Sequence, residues 1–282
     1  MQPEYYLTLT EYKIIIENID SLLKYYYNKD ICIVELGSGS SKKTKILLNY
    51  FLKKQDGNLH YFPIDISQEM LYQSTLKLQN DLPKIINHPI ASEYFDGIET
   101  VTKFISSQHN IPNNKLILFL GSSLGNFEPE DAILFLKNLR EKINKEDALL
   151  IGFDLQKKKY ILEAAYNDGE GFTEKFNLNI LERINTELDG EFDLENFRHS
   201  AYYNKVKNRI EMHIISKIKQ SVKVGKLNQV FDFEKGETIH TENSYKYSLK
   251  SIEQLANKSY LRVAKNFLDK NEWYNLALLT PF

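Results

Sequence analysis

Residues 31–41 read ICIVELGSGSS. Ile31–Leu36 is short, apolar and rich in β-branched residues, and it runs directly into Gly37-Ser38-Gly39. Such a run closed by glycine is a buried strand entering a tight turn. Residues 42–53 then carry Ile46, Leu47, Tyr50 and Phe51 at helical spacing, so the turn leads from strand into helix. Glycine lets a backbone approach a ligand closely, and a helix start offers N–H groups without intrahelical partners. A dinucleotide fingerprint would place a third glycine at position 42, where Lys42 stands instead. The loop is therefore either an incomplete nucleotide cradle or a simple turn.

Outward from this turn the same rhythm continues. Residues 8–27 carry apolar residues at helical spacing, residues 59–66 read as a strand ending near Asp65, and residues 68–80 read as a helix. Residues 84–95 read as one weak strand, 115–120 as a strong one, 128–143 as a helix opened by Pro129, and 148–153 as a strand. Strands alternating with helices imply a parallel sheet with right-handed crossovers, whose ligands sit at the carboxyl ends of the strands. From residue 156 to residue 246 the rhythm changes. Residues 163–168 and 173–188 look helical, while 209–219 and 222–224 alternate with a period of two, the pattern of an α+β insertion. The first pattern then resumes, with a helix over 248–257 and two strands over 261–267 and 273–279.

Three loops carry candidate chemistry. Asp65 lies 26 residues beyond Gly39 at a strand end, where an acid can accept hydrogen bonds from a ribose diol or simply cap the next helix. The loop Gly121-Ser122-Ser123-Leu124-Gly125-Asn126 leaves the middle of the sheet with two glycines and an amide. In adenosyl-dependent methyltransferases that loop faces the sulfonium and the acceptor, and a final helix followed by two strands, the last antiparallel, suits that fold better than a dehydrogenase. Asn126 could equally cap the helix that Pro129 opens. In Thr241–Lys246 (TENSYK), Glu242 and Ser244 are two apart and share a strand face, where they could hold one polar heterocycle or be polar teeth on a surface strand.

Composition narrows the classes. With 282 residues, 42% hydrophobic and 26% charged, the chain has material for a sizeable core. Lys plus Arg number 36 against 38 Asp plus Glu, which removes the bulk electrostatic case for a nucleic-acid or anionic-membrane binder. The lysines of residues 42–45 read as a solvated helix face. The single cysteine, Cys32, sits inside a strand and is expected to be buried, and no paired cysteines suggest a metal. The longest apolar runs fall far short of the ~20 residues that span a bilayer. The opening residues lack a basic stretch followed by an apolar one, so the expected compartment is the cytoplasm.

Seven segments occur in order: ELGSGSSKKT (35–44), PIDIS (63–67), FLGSSLGNF (119–127), AYND (165–168), FNLN (176–179), RIEM (209–212) and TENSYKY (241–247). From Glu4 to the C-terminus the chain resembles the histidine-specific Nα-methyltransferase family, the first enzyme of ergothioneine biosynthesis. Related enzymes that methylate other amino acids share much of this pattern. The resemblance implies a Rossmann-like class I methyltransferase core, with a mostly parallel seven-stranded sheet over 7–155 and 247–282, and an inserted α+β substrate-binding domain over 156–246. It implies S-adenosylmethionine as cofactor, no metal, and a small amino-acid substrate, with histidine methylated to its trimethylated betaine; another amino acid or amine, or a non-catalytic binding paralogue, is the alternative.

The resemblance also assigns residues. Gly37 and Lys43 border the cofactor's methionine moiety, Asp65 takes the ribose, and Gly121 lines the cofactor. The adenine pair, usually Asp followed by an aromatic, matches Glu93-Tyr94. Asn126 and Tyr166 hold the amino-acid end of the substrate. Glu242 and Ser244 read the imidazole, with Tyr5 beside them and Met212 as an apolar wall. No residue is assigned as general base. Family members carry a few dozen residues ahead of the motif found here as Glu4-Tyr5-Tyr6, including aromatics that cover the substrate. The resemblance therefore implies a more open pocket, in a monomer or with a partner chain as cover.

Overall fold

The computed structural model describes residues 6–26, 30–54 and 58–282. Tyr5 lies outside the described residues. The chain divides into two compact units, one formed by Leu7–Leu155 with Tyr247–Phe282 and the other chiefly by Gln156–Lys246. In chain order, α1 (Tyr6–Leu23) precedes β1 (Ile31–Leu36), α2 (Thr44–Lys54), β2 (Leu59–Asp65), α3 (Gln68–Asp81), β3 (Ile85–Asn87), β4 (Ile90–Ala91), α4 (Tyr94–Ser107), β5 (Asn114–Phe119), α5 (Pro129–Glu141) and β6 (Ala148–Asp154). The second unit holds α6 (Lys159–Tyr166), α7 (Phe172–Leu188), β7 (Phe197–Asn204), β8 (Arg209–Ser216), β9 (Gln220–Val224), β10 (Gln229–Phe233) and β11 (Thr238–Tyr245). The chain then returns to the first unit for α8 (Leu249–Lys258), β12 (Leu261–Leu268) and β13 (Tyr274–Pro281).

The first unit is built on one sheet ordered β12-β13-β6-β5-β1-β2-β3, with β4 paired to β2. The path of seven strands matches the sequence expectation, and the two-residue β4 adds an eighth. Every pairing is parallel except those of β13, which runs antiparallel to both β6 and β12. This is the order of a Rossmann-like methyltransferase core. From β1 the chain winds one way to β2 and β3, and from β5 the other way to β6. The strand order reverses between β1 and β5, so the loops after Leu36 and Phe119 flank the crevice where such sheets take ligands. All six residues of β1 are buried, as an apolar run covered on both faces must be. Cys32 is among them, and burial pushes its thiol up to about 12.

The segment 84–95 corrects the sequence reading. It is not one strand: it divides into β3, β4 and the first residues of α4. Ile98, Val101 and Ile105 make the buried face of α4, in one apolar cluster with Phe135 and Leu139 of α5. Gly97 and the β-branched residues Thr100–Thr102 are weak helix formers, so tertiary packing overrides local preference here. At Gly97 an added Cβ would lie 2.6 Å from Ile64 Cγ2, so glycine is what lets the helix seat on β2.

In the second unit β8 is the central strand of the antiparallel order β11-β8-β7, and β9 pairs with β10 as a separate ribbon. Leu181 of α7 packs with Phe197, Ile214, Val222 and Val224 in its core. The sequence reading found β8 and β9 but not β7 or β10. Along β7, His199 occupies an inward position that a strand pattern reserves for apolar groups. It is accommodated by Asn177 Nδ2 at 2.9 Å from its Nδ1 and by the Tyr166 carbonyl at 2.7 Å from its Nε2. Among the described residues no helix is long and apolar enough to cross a membrane.

Candidate active site

On the first unit, the turn after β1 is built by two glycines with positive φ, +65° at Gly37 and +47° at Gly39, a region open to glycine at little cost. The N–H groups of Gly37 and Ser38 both donate to the Ile64 carbonyl, at 2.9 and 3.1 Å, which pins the turn to the end of β2. Asp65 is held from both sides: Oδ2 accepts from Gly39 N–H at 2.9 Å and Oδ1 from Ser67 N–H at 3.0 Å. The helix-capping reading of Asp65 does not hold, because Ser67 supplies that cap to α3, accepting from Met70 N–H. Beneath the turn, the buried Glu35 accepts from Thr44 Oγ1 and Tyr61 Oη, tying β1 to the start of α2 and to β2. Burial pushes the Glu35 carboxyl up to about 7 against the pull of those two donors.

Tyr94 stands at the start of α4. Its ring packs edge-on against Phe119 and Phe135, and its hydroxyl faces the glycine turn: a Cβ at Gly37 would sit 3.3 Å from Tyr94 Oη. Burial, and then the charges of Asp65 and Glu93, raise its pKa, so it faces the loop as a neutral phenol. Glu93 is exposed and makes no side-chain capping bond to α4.

The turn after β5 is joined to these groups by a residue that no sequence motif marks. Glu11 of α1 is fully buried. It forms an ion pair with Lys43, accepts from the Gly121 N–H at 2.9 Å and accepts from Tyr274 Oη at 2.8 Å. One carboxylate thus brings Lys43 and Gly121 together. Gly121 has φ +83° and Ser122 follows at +60°, where Ser122 Oγ accepts from the Asp154 N–H at 3.0 Å. Asn126 is exposed at the end of this loop. It is not a helix cap, since Glu128 holds that position for α5.

On the second unit, Tyr166 of α6 and Ser244 of β11 meet at 2.9 Å between hydroxyl oxygens. Lys246, two residues beyond Ser244, donates to both, at 3.0 Å to Tyr166 Oη and 2.8 Å to Ser244 Oγ. Lys246 was not singled out from the sequence, although the period-two rule carries the face of Glu242 and Ser244 on to it. Glu242 lies opposite Met212 on β8. That pairing exists because the ladder slips between His240 and Glu242: His240 faces His213, and Thr241 is the extra residue. Without this bulge Glu242 would share the opposite face with Glu211 and Arg209. Burial raises the Glu242 pKa, and the charge of Lys246 opposes the rise.

A sequence profile described as "histidine-specific methyltransferase, SAM-dependent" matches residues 1–281. The chain belongs to this family. Histidine N-alpha-methyltransferase of Mycobacterium tuberculosis (strain CDC 1551 / Oshkosh) is 32% identical over 251 residues, covering 89% of this chain and 74% of that one. Ergothioneine biosynthesis protein 1 of Schizosaccharomyces pombe is 28% identical over 282 residues, 98% of this chain and 36% of that one. Among solved structures, the CcbJ methyltransferase of Streptomyces caelestis aligns with a TM-score of 0.45 and 9% identity, over 89% of this chain and 83% of that one.

As a member of the histidine-specific methyltransferase family, the chain is an enzyme that uses S-adenosylmethionine. The first unit has features that fit this cofactor. Ser38 Oγ is buried in the glycine turn without a hydrogen-bond partner, an atom left for a ligand to satisfy. Each Asp65 oxygen accepts one backbone N–H and keeps further lone pairs for a diol. Among the described residues, no group of three or more His, Cys, Asp and Glu is placed to hold a metal ion.

Proposed function

We propose that this enzyme methylates the α-amino nitrogen of histidine and carries the reaction to the trimethylated betaine. The observation that carries the reading is the face of β11, where a half-buried carboxylate at Glu242 and the hydroxyl of Ser244 alternate beside the apolar wall of Met212. A carboxylate accepts from an imidazole N–H, and a hydroxyl serves the second ring nitrogen. The relatives named for histidine methylation and ergothioneine biosynthesis support the same reading.

In this reading Asp65 binds the cofactor's ribose, Gly37, Lys43 and Gly121 border its methionine moiety, and Glu93 with Tyr94 serves the adenine. When bound, S-adenosylmethionine supplies a methyl group activated by the sulfonium. Tyr166 and Asn126 take the amino-acid end of the substrate, and Glu242 with Ser244 orients its ring. Orientation is the main contribution asked of the protein, and in favourable cases it supplies about 7–11 kcal/mol. The attacking amine must be neutral, and its proton is assigned to no side chain.

The test is mass spectrometry of histidine incubated with the enzyme and S-adenosylmethionine, beside a panel of other amino acids. Histidine gaining three methyl groups is the expected result. Accumulation of a mono- or dimethylated product limits the reaction to fewer rounds, and preferential turnover of another amino acid overturns the substrate.

A further inference from the structure

Lys246 is 3% exposed, so its ammonium group is held by protein and not by bulk water. An ammonium has three N–H donors and no acceptor. Two of those donors reach Tyr166 Oη and Ser244 Oγ, and the group also lies 4.8 Å from the centre of the Tyr166 ring. Both hydroxyl oxygens therefore accept from the same cation. The two hydroxyls are also 2.9 Å from each other, and only one of their two protons can lie in that gap. The other proton has to point away from the cluster. The cation thus turns a pair of hydroxyls, each able to donate or accept, into a unit that donates outward, and its charge strengthens the outward bond.

Two residues earlier on the same strand face, Glu242 has the opposite polarity. Successive residues on one strand face are about 6.6–6.8 Å apart. A five-membered ring with a hydrogen bond of about 2.9 Å on each of two nitrogens bridges a gap of that order. The strand face then offers an acceptor at one end and a donor at the other, beside the 2%-exposed Met212.

We propose that Lys246 fixes the hydrogen-bond polarity of the ring site, so that the enzyme takes the neutral imidazole, with one N–H and one bare nitrogen, and discriminates against the imidazolium and against rings that lack a bare nitrogen. The inference rests on the histidine reading above and makes Lys246 a positioning residue. Imidazolium carries two N–H donors. One would meet Glu242, but the other would face the outward proton of the Tyr166–Ser244 pair. Among the described residues, several titratable groups stand near Lys246. On β11 there is Glu242; on α6, Tyr166; on β7, Tyr203, which burial keeps protonated, and His199, engaged by Asn177 and the Tyr166 carbonyl.

The test is calorimetric binding of histidine, with S-adenosylhomocysteine present, between pH 8 and pH 5.5, together with the ratio of affinities for histidine and β-(2-thienyl)alanine. The thienyl ring has similar shape and neither donor nor bare nitrogen. An unperturbed imidazole is about nine-tenths protonated at pH 5.5, so the wild-type affinity should fall about tenfold over this range. In Lys246→Met the hydroxyls are free to accept, the fall should shrink to within about twofold, and the preference over thienylalanine should drop at least tenfold. Lys246→Arg keeps charge and donors and should keep the fall. Cofactor binding and circular dichroism check folding of each variant, and Lys246→Gln replaces the Met variant if that one does not fold.

A Met or Gln variant that keeps both the pH fall and the ring preference overturns the proposal, because Lys246 would then only pack. Wild-type affinity independent of pH overturns it without any variant. If the wild type binds its cofactor normally but takes no histidine, the histidine reading itself fails, which is a separate outcome.

Discussion

The carboxylate of Glu11 accepts the backbone N–H of Gly121 at 2.9 Å across 110 residues of sequence. The same buried group meets the Lys43 ammonium and the Tyr274 hydroxyl, so α1, the start of α2, the loop after β5 and the last strand converge on one side chain. Its removal should therefore act on the cofactor loops as well as on stability. Glu11→Ala leaves Lys43 and a backbone N–H without their acceptor and should cost about 3–5 kcal/mol, the range for breaking a buried pair by deleting one partner. Glu11→Gln keeps an acceptor for Gly121 and should cost less. Urea midpoints with S-adenosylmethionine titrations of both variants check this. Equal, small effects in the two variants would show that the convergence contributes little.

Gly152 explains how Glu11 and Tyr274 fit. A Cβ there would lie 2.3 Å from Tyr274 Oη and 2.4 Å from Glu11 Oε1, and both side chains are fully buried. Gly152→Ala should be destabilised by about 1–3 kcal/mol, as overpacked cores are, and should bind the cofactor less tightly. A thermal midpoint equal to wild type would mean that the tyrosine moves aside easily.

The parallel sheet, the order of the loops, and Gly37, Asp65, Gly121, Asn126, Glu242 and Ser244 were legible because their signals are local: a β-branched run before glycine, an acid at a strand end, a carboxylate and a hydroxyl two apart. Lys43, Glu93, Tyr94, Tyr166 and Met212 were reached only through the family resemblance. What was not legible depends on pairing between distant segments. Glu11 lies in the middle of a helix with nothing in its neighbourhood to mark it, although Gly152 inside an apolar strand is a signal of close approach. The bulge at Thr241 is invisible in TENSYK, yet it decides which face Glu242 takes. Lys246 was in reach, since strand periodicity extends to it from Ser244. Helix α4 was missed because Gly97 and Thr100–Thr102 conceal a buried face at Ile98, Val101 and Ile105.

Asp65 tests the cofactor assignment. Both its oxygens already hold backbone N–H groups, so Asp65→Ala removes the proposed ribose acceptor and slackens the Gly37–Gly39 turn together. Hydrogen bonds to charged groups are worth about 1.5–3 kcal/mol, so affinity for S-adenosylhomocysteine should fall roughly ten- to a hundredfold. Asp65→Asn should fall between wild type and alanine. Unchanged affinity in calorimetry would remove Asp65 from the site.

Glu242 tests the substrate. Glu242→Ala should cost histidine about 1–3 kcal/mol by leaving its ring N–H unpaired, and should cost tryptophan much less. The informative quantity is the ratio of kcat/KM for the two amino acids. A ratio unmoved by the substitution would place imidazole recognition elsewhere.

Glu35 gives a prediction in pH. Its folded pKa is raised to about 7 by burial, above the usual carboxylate value near 4.3. Between about pH 4.3 and 7 the folded state holds this proton and the unfolded chain does not. Stability from this group is therefore greatest below pH 4.3, falls as pH rises through the window, and is level above 7. The full difference is at most about 4 kcal/mol at 1.36 kcal/mol per pH unit. His60 and His88, whose pKa values burial lowers, act in the same pH region with the opposite slope, so wild-type stability alone does not isolate Glu35. The comparison with Glu35→Gln does. The variant keeps the carboxylate's shape and an oxygen for Thr44 or Tyr61, but it has no proton to lose. Urea unfolding at pH 5 and pH 8 should show the variant gaining on wild type by up to about 3 kcal/mol at the higher pH. Parallel stabilities at the two pH values would mean that Glu35 is ionised throughout, held so by the Thr44 and Tyr61 hydroxyls despite its burial.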